Sequence, residues 1–568
     1  ATKMKLEPIY TEKTQCQDCY KCVRECPVKA IRVVDGSAMV IPKACILCGH
    51  CTQICPVNAK KIRDDLEEAK ELIAAGHDVY VSLAPSYVTE FPSLKPGRLI
   101  SAIKKLGFKG VSETALGAQE VSAACAQLLN EGGNKLWIST CCPSTIHMIE
   151  QYHPELVDFL TPVLSPLQAH AKMLKNHFGP DAKVIFIGPC VAKKNEADGH
   201  FELALTFSDL RRWFTQNNID WTDLNDAEEF VPRGAYEGGL YPVDGGMVDG
   251  IKLCGAPENT LYMGFTGVKQ VQEALEDIKG QEHNCPVFVE ILACEGGCVN
   301  GPVVSKPGST ASKRIQIYNN TPMADGASNT SELDITGEFH SREIPKVKYT
   351  EAELSAALLK VSKKRKEDEL NCGGCGYDTC RDFAAALLEG KAEPAMCVSY
   401  LRKLAQTKAS ALIQTMPSGV VIVDEDLRII ESNRQFINLI GGEASIIGEA
   451  DPNLEGAYLE RLVPFHHYFT RVLQDPDKAD TKDIRYQGKI LRLTIFNIQN
   501  KHVVGGIIQD ITEPVIQREQ IMEKASEVMK KNISTVQKIA FLLGENAADS
   551  EVLLNSIIES FKDNEAQS

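Results

Sequence analysis

Apolar and polar positions change rhythm several times along this chain. Between residue 66 and about residue 350, short apolar runs alternate with amphipathic ones. VYVSLAP (79–85) is an apolar run of strand length ending in a turn, and LISAIKKLGF (99–108) sets its apolar residues at helical spacing. KVIFIGPC (183–190) and PVFVEILAC (286–294) are apolar runs that finish on a cysteine. Strands alternating with helices predict an α/β domain whose reactive residues lie at the carboxyl edge of its strands. The stretch Lys306–Lys346 is rich in Ser, Thr, Asn and Gly and reads as an excursion or linker region, to which no structure is assigned. Beyond residue 405 short strand-like runs return (GVVIVD, RII, ILRLTIF, VVGGIIQDI). From Thr512 onward the apolar positions Ile521, Ala525, Val528 and Met529 recur at helical spacing.

At 568 residues the chain exceeds one ordinary core, and several domains are expected. Hydrophobic content of 43% and charged content of 24% are those of a soluble globular protein. No run of 18 apolar residues is present, which argues against a membrane span. The opening ATKMKLEPIYTEKTQ has neither the apolar stretch of a signal peptide nor a twin arginine, so the expectation is cytoplasmic. A net charge of −15 disfavours nucleic acid, whose phosphates reward Lys and Arg. The basic run KVSKKRK (360–366) is read as a solvated helix face. Twenty cysteines are the loudest compositional feature, and in a long chain of this class clustered cysteines point to metal rather than to a disulfide framework.

The first cysteines form an internal repeat. CQDCYKCVRECP and CILCGHCTQICP both read C-x2-C-x2-C-x3-C-P, 29 residues apart. An iron–sulfur cube needs four converging thiolates; a tight loop supplies three, and in two-cluster ferredoxins the fourth crosses to the other cluster. One [4Fe–4S] cluster is thus expected on Cys16, Cys19, Cys22 and Cys55, and a second on Cys45, Cys48, Cys51 and Cys26. Pro27 and Pro56 end each loop. Zinc is the alternative, but it favours paired C-x2-C spacings. Such clusters move electrons, so the chemistry is expected further along.

Three more cysteine segments follow: STCCPSTI (139–146), IGPCVAKKNEA (187–197) and EILACEGGCVNGP (290–302). They are far apart in sequence, so the fold must assemble any common site, with buried free thiols as the alternative. In this order and at these separations they resemble the three signatures of the [FeFe]-hydrogenases. Thr140-Cys141-Cys142-Pro143 follows the first. Pro189, Cys190, Lys193, Lys194 and Glu196 follow the second. Glu290, Ala293, Cys294, Gly297, Cys298 and Gly301 follow the third, and the turn Ala84–Tyr87 is similar to the family's first cofactor-contacting loop. The resemblance spans about residues 10–310.

It implies an H-cluster, in which a [4Fe–4S] cube is linked through one cysteine to a two-iron subsite carrying CO, cyanide and a dithiolate amine. Cys142, Cys190, Cys294 and Cys298 would hold the cube, with Cys298 bridging. Lys193 would donate a charge-assisted hydrogen bond to one cyanide. Ser86 and the backbone of Pro85 would lie beside the other, with Ala84 and Gly188 lining the same pocket. Cys141 corresponds to the proton-relaying thiol, and Ser165 and Glu196 match relay positions. The chain departs from the common pattern in three ways. The helix VSAACAQLLNE has Ala124 or Cys125, then Gln127 or Leu128, where relay carboxylates usually stand. Gly188 and Leu292 replace methionines that usually pack on the two-iron subsite, and Glu295 is an unusual polar neighbour. These features indicate a non-prototypical member, of the group B or sensory type. Of the cysteines left over, Cys125, Cys254 and Cys285 are read as buried small hydrophobes.

CGGCGYDTC with Cys397 has the spacing C-x2-C-x4-C-x16-C and resembles the small four-cysteine iron–sulfur domain of electron-transfer proteins. A further [4Fe–4S] cluster is expected on Cys372, Cys375, Cys380 and Cys397, with zinc as the alternative. Residues 405–515, opening on MPSGVVIVDEDLRIIESNRQFINLIG, resemble a PAS domain, with a helix entered near Asn433. His466 and His467 are read as surface or loop residues rather than haem ligands.

The expected fold is multidomain α/β. A two-cluster ferredoxin-like domain spans 1–65, an α/β H-cluster domain 66–355 and a small Fe–S domain 356–404. An α+β PAS-like domain spans 405–515, and a helical tail (516–568) would pack against a copy of itself. The expected activity is interconversion of H2 with protons and electrons, in exchange with ferredoxin or a similar carrier. The alternatives are an H2 or redox sensor signalling through the PAS-like region, and a passive electron carrier with a degenerate site. No membrane or nucleic-acid partner is expected.

Overall fold

The computed structural model describes residues 6–512 and 524–532, apart from 93, 133–134, 197–198, 222–223, 306–307, 324–332, 346 and 476–478. Most of the tail expected at 516–568 therefore lies outside the described residues; 524–532 is helical. The chain forms two compact units, Ala1–Glu393 and Pro394–Ser568. Their boundary falls inside the 356–404 stretch expected as one small domain. No helix among the described residues is long and apolar enough to cross a membrane.

The first unit opens with two near-copies of one cysteine loop. Strand Ile9–Thr11 pairs antiparallel with Lys60–Ile62, and Ile31–Val34 pairs with Ser37–Val40 as a hairpin. The repeat is visible in the backbone. Left-handed φ occurs at Asp18, Tyr20 and Lys29 and again 29 residues on at Leu47, Gly49 and Asn58. Alternating hands turn successive N–H groups to one side, the nest geometry that favours bound anions and Fe–S clusters.

Two parallel sheets follow. The first has the order Gly110–Glu113, Val79–Leu83, Lys183–Gly188, Leu203–Thr206. The second has Leu261–Thr266, Val287–Leu292, Leu136–Ile138. Val79, Val81, Leu83, Val184 and Ile185 are wholly buried, as expected for parallel strands covered on both faces. The expected helix appears as Pro96–Lys105, its Leu99, Ile100, Ala102 and Ile103 turned inward.

Helix Pro166–Phe178 packs beside the first sheet, and its fully buried His170 joins two strands. One ring nitrogen lies 2.8 Å from Ser82 Oγ and the other 2.8 Å from Ser112 Oγ. Burial depresses this imidazole from 6.5 to about 3, and burial with the nearby Arg342 depresses His147 to about 4. Between pH 6.5 and 4 the unfolded chain binds protons that these folded sites refuse, so stability falls as pH falls through that window. We expect the melting temperature to drop between pH 7 and pH 5, and to drop less in His170→Gln. Parallel slopes in the two proteins would show that His170 is not responsible.

The excursion expected over Lys306–Lys346 contains a helix, Thr310–Asn320. Ser309 caps it by accepting from Ser312 N. Lys313 is buried and donates to Val299 O and Asn300 Oδ1 at 3.1 Å each, fastening the helix to the segment after Cys298. A cap and one tethered lysine thus outweigh the polar composition.

In the second unit, helix Val398–Thr415 leads into a five-stranded antiparallel sheet. Its order is Ile429–Ser432, Gly419–Asp424, Val503–Asp510, Lys489–Gln499, Asp480–Tyr486. Buried Asn433 caps the helix Arg434–Ile440 and also donates to Ile413 O and Ser418 O, fixing the chain's approach to the sheet. His466 and His467 make short-range contacts to the carbonyls of Val463 and Pro464.

Candidate metal centres and active site

In the N-terminal module, Cys26 and Cys55 hold equivalent places in the two loops. Each sulfur accepts an N–H from the residue four positions on, Ala30 at 3.3 Å and Ala59 at 3.2 Å. Cys26 faces the second triplet. Burial pushes Cys45 up to about 11 and Cys48 to about 12, and the Cys26 thiolate adds to both. Burial is also the main cause at Cys51, with Cys48, Cys45 and Cys26 adding to it. Cys22 is raised by burial and by Cys19 and Cys16, against the attraction of Lys60. At Cys55 burial is outweighed by the N–H groups of Lys60, Val57 and Ala59 and by the Lys60 charge.

Both parallel sheets deliver their strand ends to one place. Leu83 runs into Ala84–Ser86, Gly188 into Cys190, Ile138 into Cys141 and Cys142, and Leu292 into Cys294. The leading Ser139 and Thr140 lock their loop. Ser139 Oγ accepts from Ile291 N at 3.1 Å, and Thr140 Oγ1 donates to Val163 O at 2.8 Å. Cys142 caps the helix Pro143–Tyr152. Gly296 and Gly297 adopt φ of 73° and 98°, and a Cβ on Gly297 would stand 2.3 Å from Pro242 O, so only glycine permits the turn between Cys294 and Cys298.

Burial is the first cause of the raised Cys294 and Cys298 pKa values, and the facing thiolates of Cys142 and Cys190 add to both. Four thiols gathered away from water and charging one another are a poor arrangement for free cysteines and a good one for a cationic cluster. Cys48 is among the charges felt at Cys294, and it packs against Cys142, Leu292 and Ala293. The cluster site of the second ferredoxin loop is therefore the one beside this centre.

Lys193 Nζ donates to Glu196 Oε2 at 2.7 Å and lies 3.4 Å from Ser165 Oγ. Burial lowers its pKa, but Glu196, Cys190 and Cys142 outweigh this and raise it, so the ammonium is retained. Ser165 also caps its helix by accepting from Gln168 N. The Ala84–Ser86 turn lies against the end of the neighbouring strand, with Ala84 N donating to Ile187 O at 2.9 Å. Ser86 Oγ is buried without a hydrogen-bond partner among the described residues. An orphaned hydroxyl in this cradle fits an additional acceptor such as the expected cyanide. At Gly188 a Cβ would meet Phe186 Cζ at 2.4 Å, so Phe186 fills the space beside that glycine.

Cys141 Sγ donates to Met247 Sδ at 3.2 Å. Its pKa is raised by burial first and then by Cys125 and Glu290, against Lys193, so the thiol keeps its proton. The Lys-Lys pair divides its labour. Lys193 faces the cysteines, whereas Lys194 is wholly buried against Asp65, 2.9 Å away, and donates to Ala204 O at 2.8 Å. Glu196 opens on a groove of about 290 Å³ shared with His147, Glu150 and Arg342.

Met247 is a residue beside the site that sequence reasoning missed, and Glu290 was read only as part of the third signature, with no role of its own. The one available signal was a charged residue set in the apolar strand PVFVEILAC.

Near the chain's third cysteine group, Asn371, Gly373 and Gly376 have left-handed φ. Gly376 sits against Arg24, and Lys29 Nζ donates to Gly376 O at 2.7 Å, docking this loop on the Cys22–Cys26 segment. Cys372, Cys375 and Cys380 belong to the first unit, and Cys397 caps a helix in the second.

These features define an iron–sulfur redox protein. Residues 77–302 match the family model of the iron-only hydrogenase large subunit, C-terminal domain. Residues 8–66 match a 4Fe-4S dicluster domain, and 368–399 match a domain described as a putative Fe-S cluster. The chain is a relative of the iron-only, or [FeFe], hydrogenases. It is 24% identical over 285 residues to iron hydrogenase 1 of Clostridium pasteurianum, covering 41% of this chain and 50% of that protein. It is 26% identical over 365 residues to the periplasmic [Fe] hydrogenase large subunit of Nitratidesulfovibrio vulgaris, covering 52% and 86%. It is 23% identical over 372 residues to the NADP-reducing hydrogenase subunit HndD of Solidesulfovibrio fructosivorans, covering 52% and 64%. Half of this chain also aligns with all of an [FeFe]-hydrogenase HydA1 structure from Chlamydomonas reinhardtii, at TM-score 0.39 and 17% identity. The chain spans about half the length of the Clostridium relative.

Proposed function

We propose that this chain activates molecular hydrogen, interconverting H2 with two protons and two electrons at an H-cluster. The observation that carries this reading is the convergence of Cys142, Cys190, Cys294 and Cys298 with the Lys193 ammonium at the carboxyl ends of two parallel sheets. The four thiolates would hold the cube, with Cys298 as the bridge, and the bound group would supply the metal chemistry that cleaves or forms H2. Lys193 fixes a positive charge over the pocket, and its ion pair with Glu196 keeps it oriented. Ser86, with the Ala84–Pro85 backbone, offers a buried donor on the opposite side. Cys141, next to Cys142 in the chain, would supply a proton to the bound group, with Ser165 and Glu196 beside Lys193 as further relay groups.

Electrons would travel from the loop of Cys372, Cys375 and Cys380 to the cluster of Cys16, Cys19, Cys22 and Cys55. They would pass next to that of Cys45, Cys48, Cys51 and Cys26, and then inward, exchanging with ferredoxin or a similar carrier outside. The contact of Gly376 with Arg24 and that of Cys48 with Cys142 support this order. The altered relay positions on helix Ala115–Asn130 suit an enzyme of modest or biased turnover.

A second reading is favoured by the second unit. Its antiparallel sheet has the strand order of a PAS domain, with helices Arg434–Ile440, Glu443–Ala450 and His467–Gln474 inserted after the second strand. In that reading the metal centre reports H2 or redox state through the PAS-like region, and the tail pairs with a second copy.

The test is infrared spectroscopy with gas assay on the full chain matured anaerobically. Bands of bound CO and cyanide, with H2 evolution from a reduced viologen, are the expected result. Loss of all such bands after complete maturation would remove the central reading. Bands without measurable turnover would favour the sensor.

A further inference from the structure

Glu290 lies mid-strand in Val287–Leu292, buried to 2% exposure, opposite Gly264 of the neighbouring strand. Its Oε2 accepts from Gly245 N at 3.0 Å and its Oε1 from Met247 N at 3.4 Å, so the carboxyl is clasped at the start of helix Gly246–Leu253. The residue that clasps it on one side, Met247, also holds the Cys141 thiol through its thioether. On the other side lie Asp244, Asp249 and, from helix Thr310–Asn320, Tyr318. Asp244 pairs with Arg314 at 3.2 Å, both more than a third exposed, and Tyr318 is half exposed. Glu290 is thus a titratable bridge between the wall of Cys141 and a polar rim in contact with water.

We propose that Glu290 is a proton-exchanging residue of this site, passing protons between the pocket of Cys141 and the rim formed by Asp244, Asp249 and Arg314. No electrons move in this step. The carboxyl gives its proton inward and is reprotonated from water at the rim, and the reverse holds when H2 is consumed. The charges around it suit the task. Burial, Asp244 and Asp249 push Glu290 up to about 8 against the two backbone N–H groups, placing its exchange near neutral pH. The remaining titratable groups facing it are Tyr241 and Cys141, with Cys298 beyond. This inference rests on the hydrogen-activating reading.

The experiment has two arms. The full chain, carrying its [4Fe–4S] clusters but no two-iron subsite, is titrated by infrared spectroscopy. A protonated-carboxyl band that disappears near pH 8 is expected, absent in Glu290→Gln and moved to lower pH in Asp249→Asn, which removes a repelling negative charge. In the matured enzyme, Glu290→Gln is expected to lower H2 evolution at least ten-fold, with Glu290→Asp recovering part of it and shifting the pH profile. A band unaffected by Glu290→Gln, or wild-type turnover and pH profile in that variant, overturns the proposal. If Glu290→Gln does not fold, an unshifted band in Asp249→Asn overturns it instead. Failure of the underlying reading is distinguishable, because CO and cyanide bands would then be missing from the wild type itself while the carboxyl titration still reports on Glu290.

Discussion

Cys141→Ala is expected to lose H2 evolution by on the order of 10²–10⁴-fold, the usual worth of one positioned acid–base group, while its CO and cyanide bands persist. The thiol is one residue from the expected ligand Cys142, yet its sulfur points to Met247 Sδ rather than into the group of four. Alanine therefore removes a proton donor without removing a ligand. The loop itself stays fixed by Ser139 and Thr140, whose hydrogen bonds to Ile291 N and Val163 O do not involve Cys141. Matched measurements of gas evolution and infrared bands on wild type and variant decide the matter. Equal turnover in the two would end the relay role of this thiol and strengthen the sensory reading. Loss of the bands along with turnover would mean that Cys141 is needed to build the site.

The same pairing of residues shows how far the sequence alone could lead. The doubled cysteine run led to the expectation of cross-ligation, because a cube needs four thiolates and one tight loop supplies three. The repeat itself is visible in the backbone, with matching left-handed residues 29 positions apart. The strand runs ending on cysteine likewise placed Cys190 and Cys294 correctly, since a buried parallel strand is readable as a continuous apolar stretch. Side-chain direction was not readable. Lys193 and Lys194 are adjacent and chemically equivalent on paper. Only the short 3-10 turn Ala192–Asn195 sends one to the cysteines and the other into the protein.

Glu290 was legible as part of a motif but not as a group with work of its own. That role depends on Gly245 and Met247 donating from a helix more than 40 residues away. Gly188 was legible as a missing methionine, but not that the Phe186 ring fills the adjoining space. Cys397 was grouped with Cys372, Cys375 and Cys380 by spacing, and the fold sets the boundary between its compact units inside that group. Spacing reports which residues are near along the chain. It does not report which domain a helix cap joins.

Lys194→Met is expected to destabilise the first unit, and its reason lies outside the chemistry. Lys194 Nζ, with a side chain at 0% exposure, meets Asp65 Oδ2 at 2.9 Å. Asp65 in turn meets Arg63 Nε at 2.7 Å, and Arg63 donates to Lys194 O at 2.9 Å. This ring ties the end of the N-terminal module to the turn that carries Lys193, so it holds one cluster-bearing element against the next. Removing Lys194 leaves the buried Asp65 carboxylate with Arg63 still beside it, so the cost is expected below the ~3–5 kcal/mol of a fully broken buried pair. Removing Asp65 as well strips the buried Arg63 of its carboxylate, so Lys194→Met/Asp65→Leu should melt below Lys194→Met alone. Thermal melts of the three proteins, followed by both helix content and cluster absorbance, provide the check. The single variant should release cluster absorbance earlier than the wild type. A Lys194→Met protein that melts and bleaches like the wild type would show that the ring contributes nothing, and the two modules would then be held by other contacts, among them the apolar ones of Leu47, Val191 and Ala192.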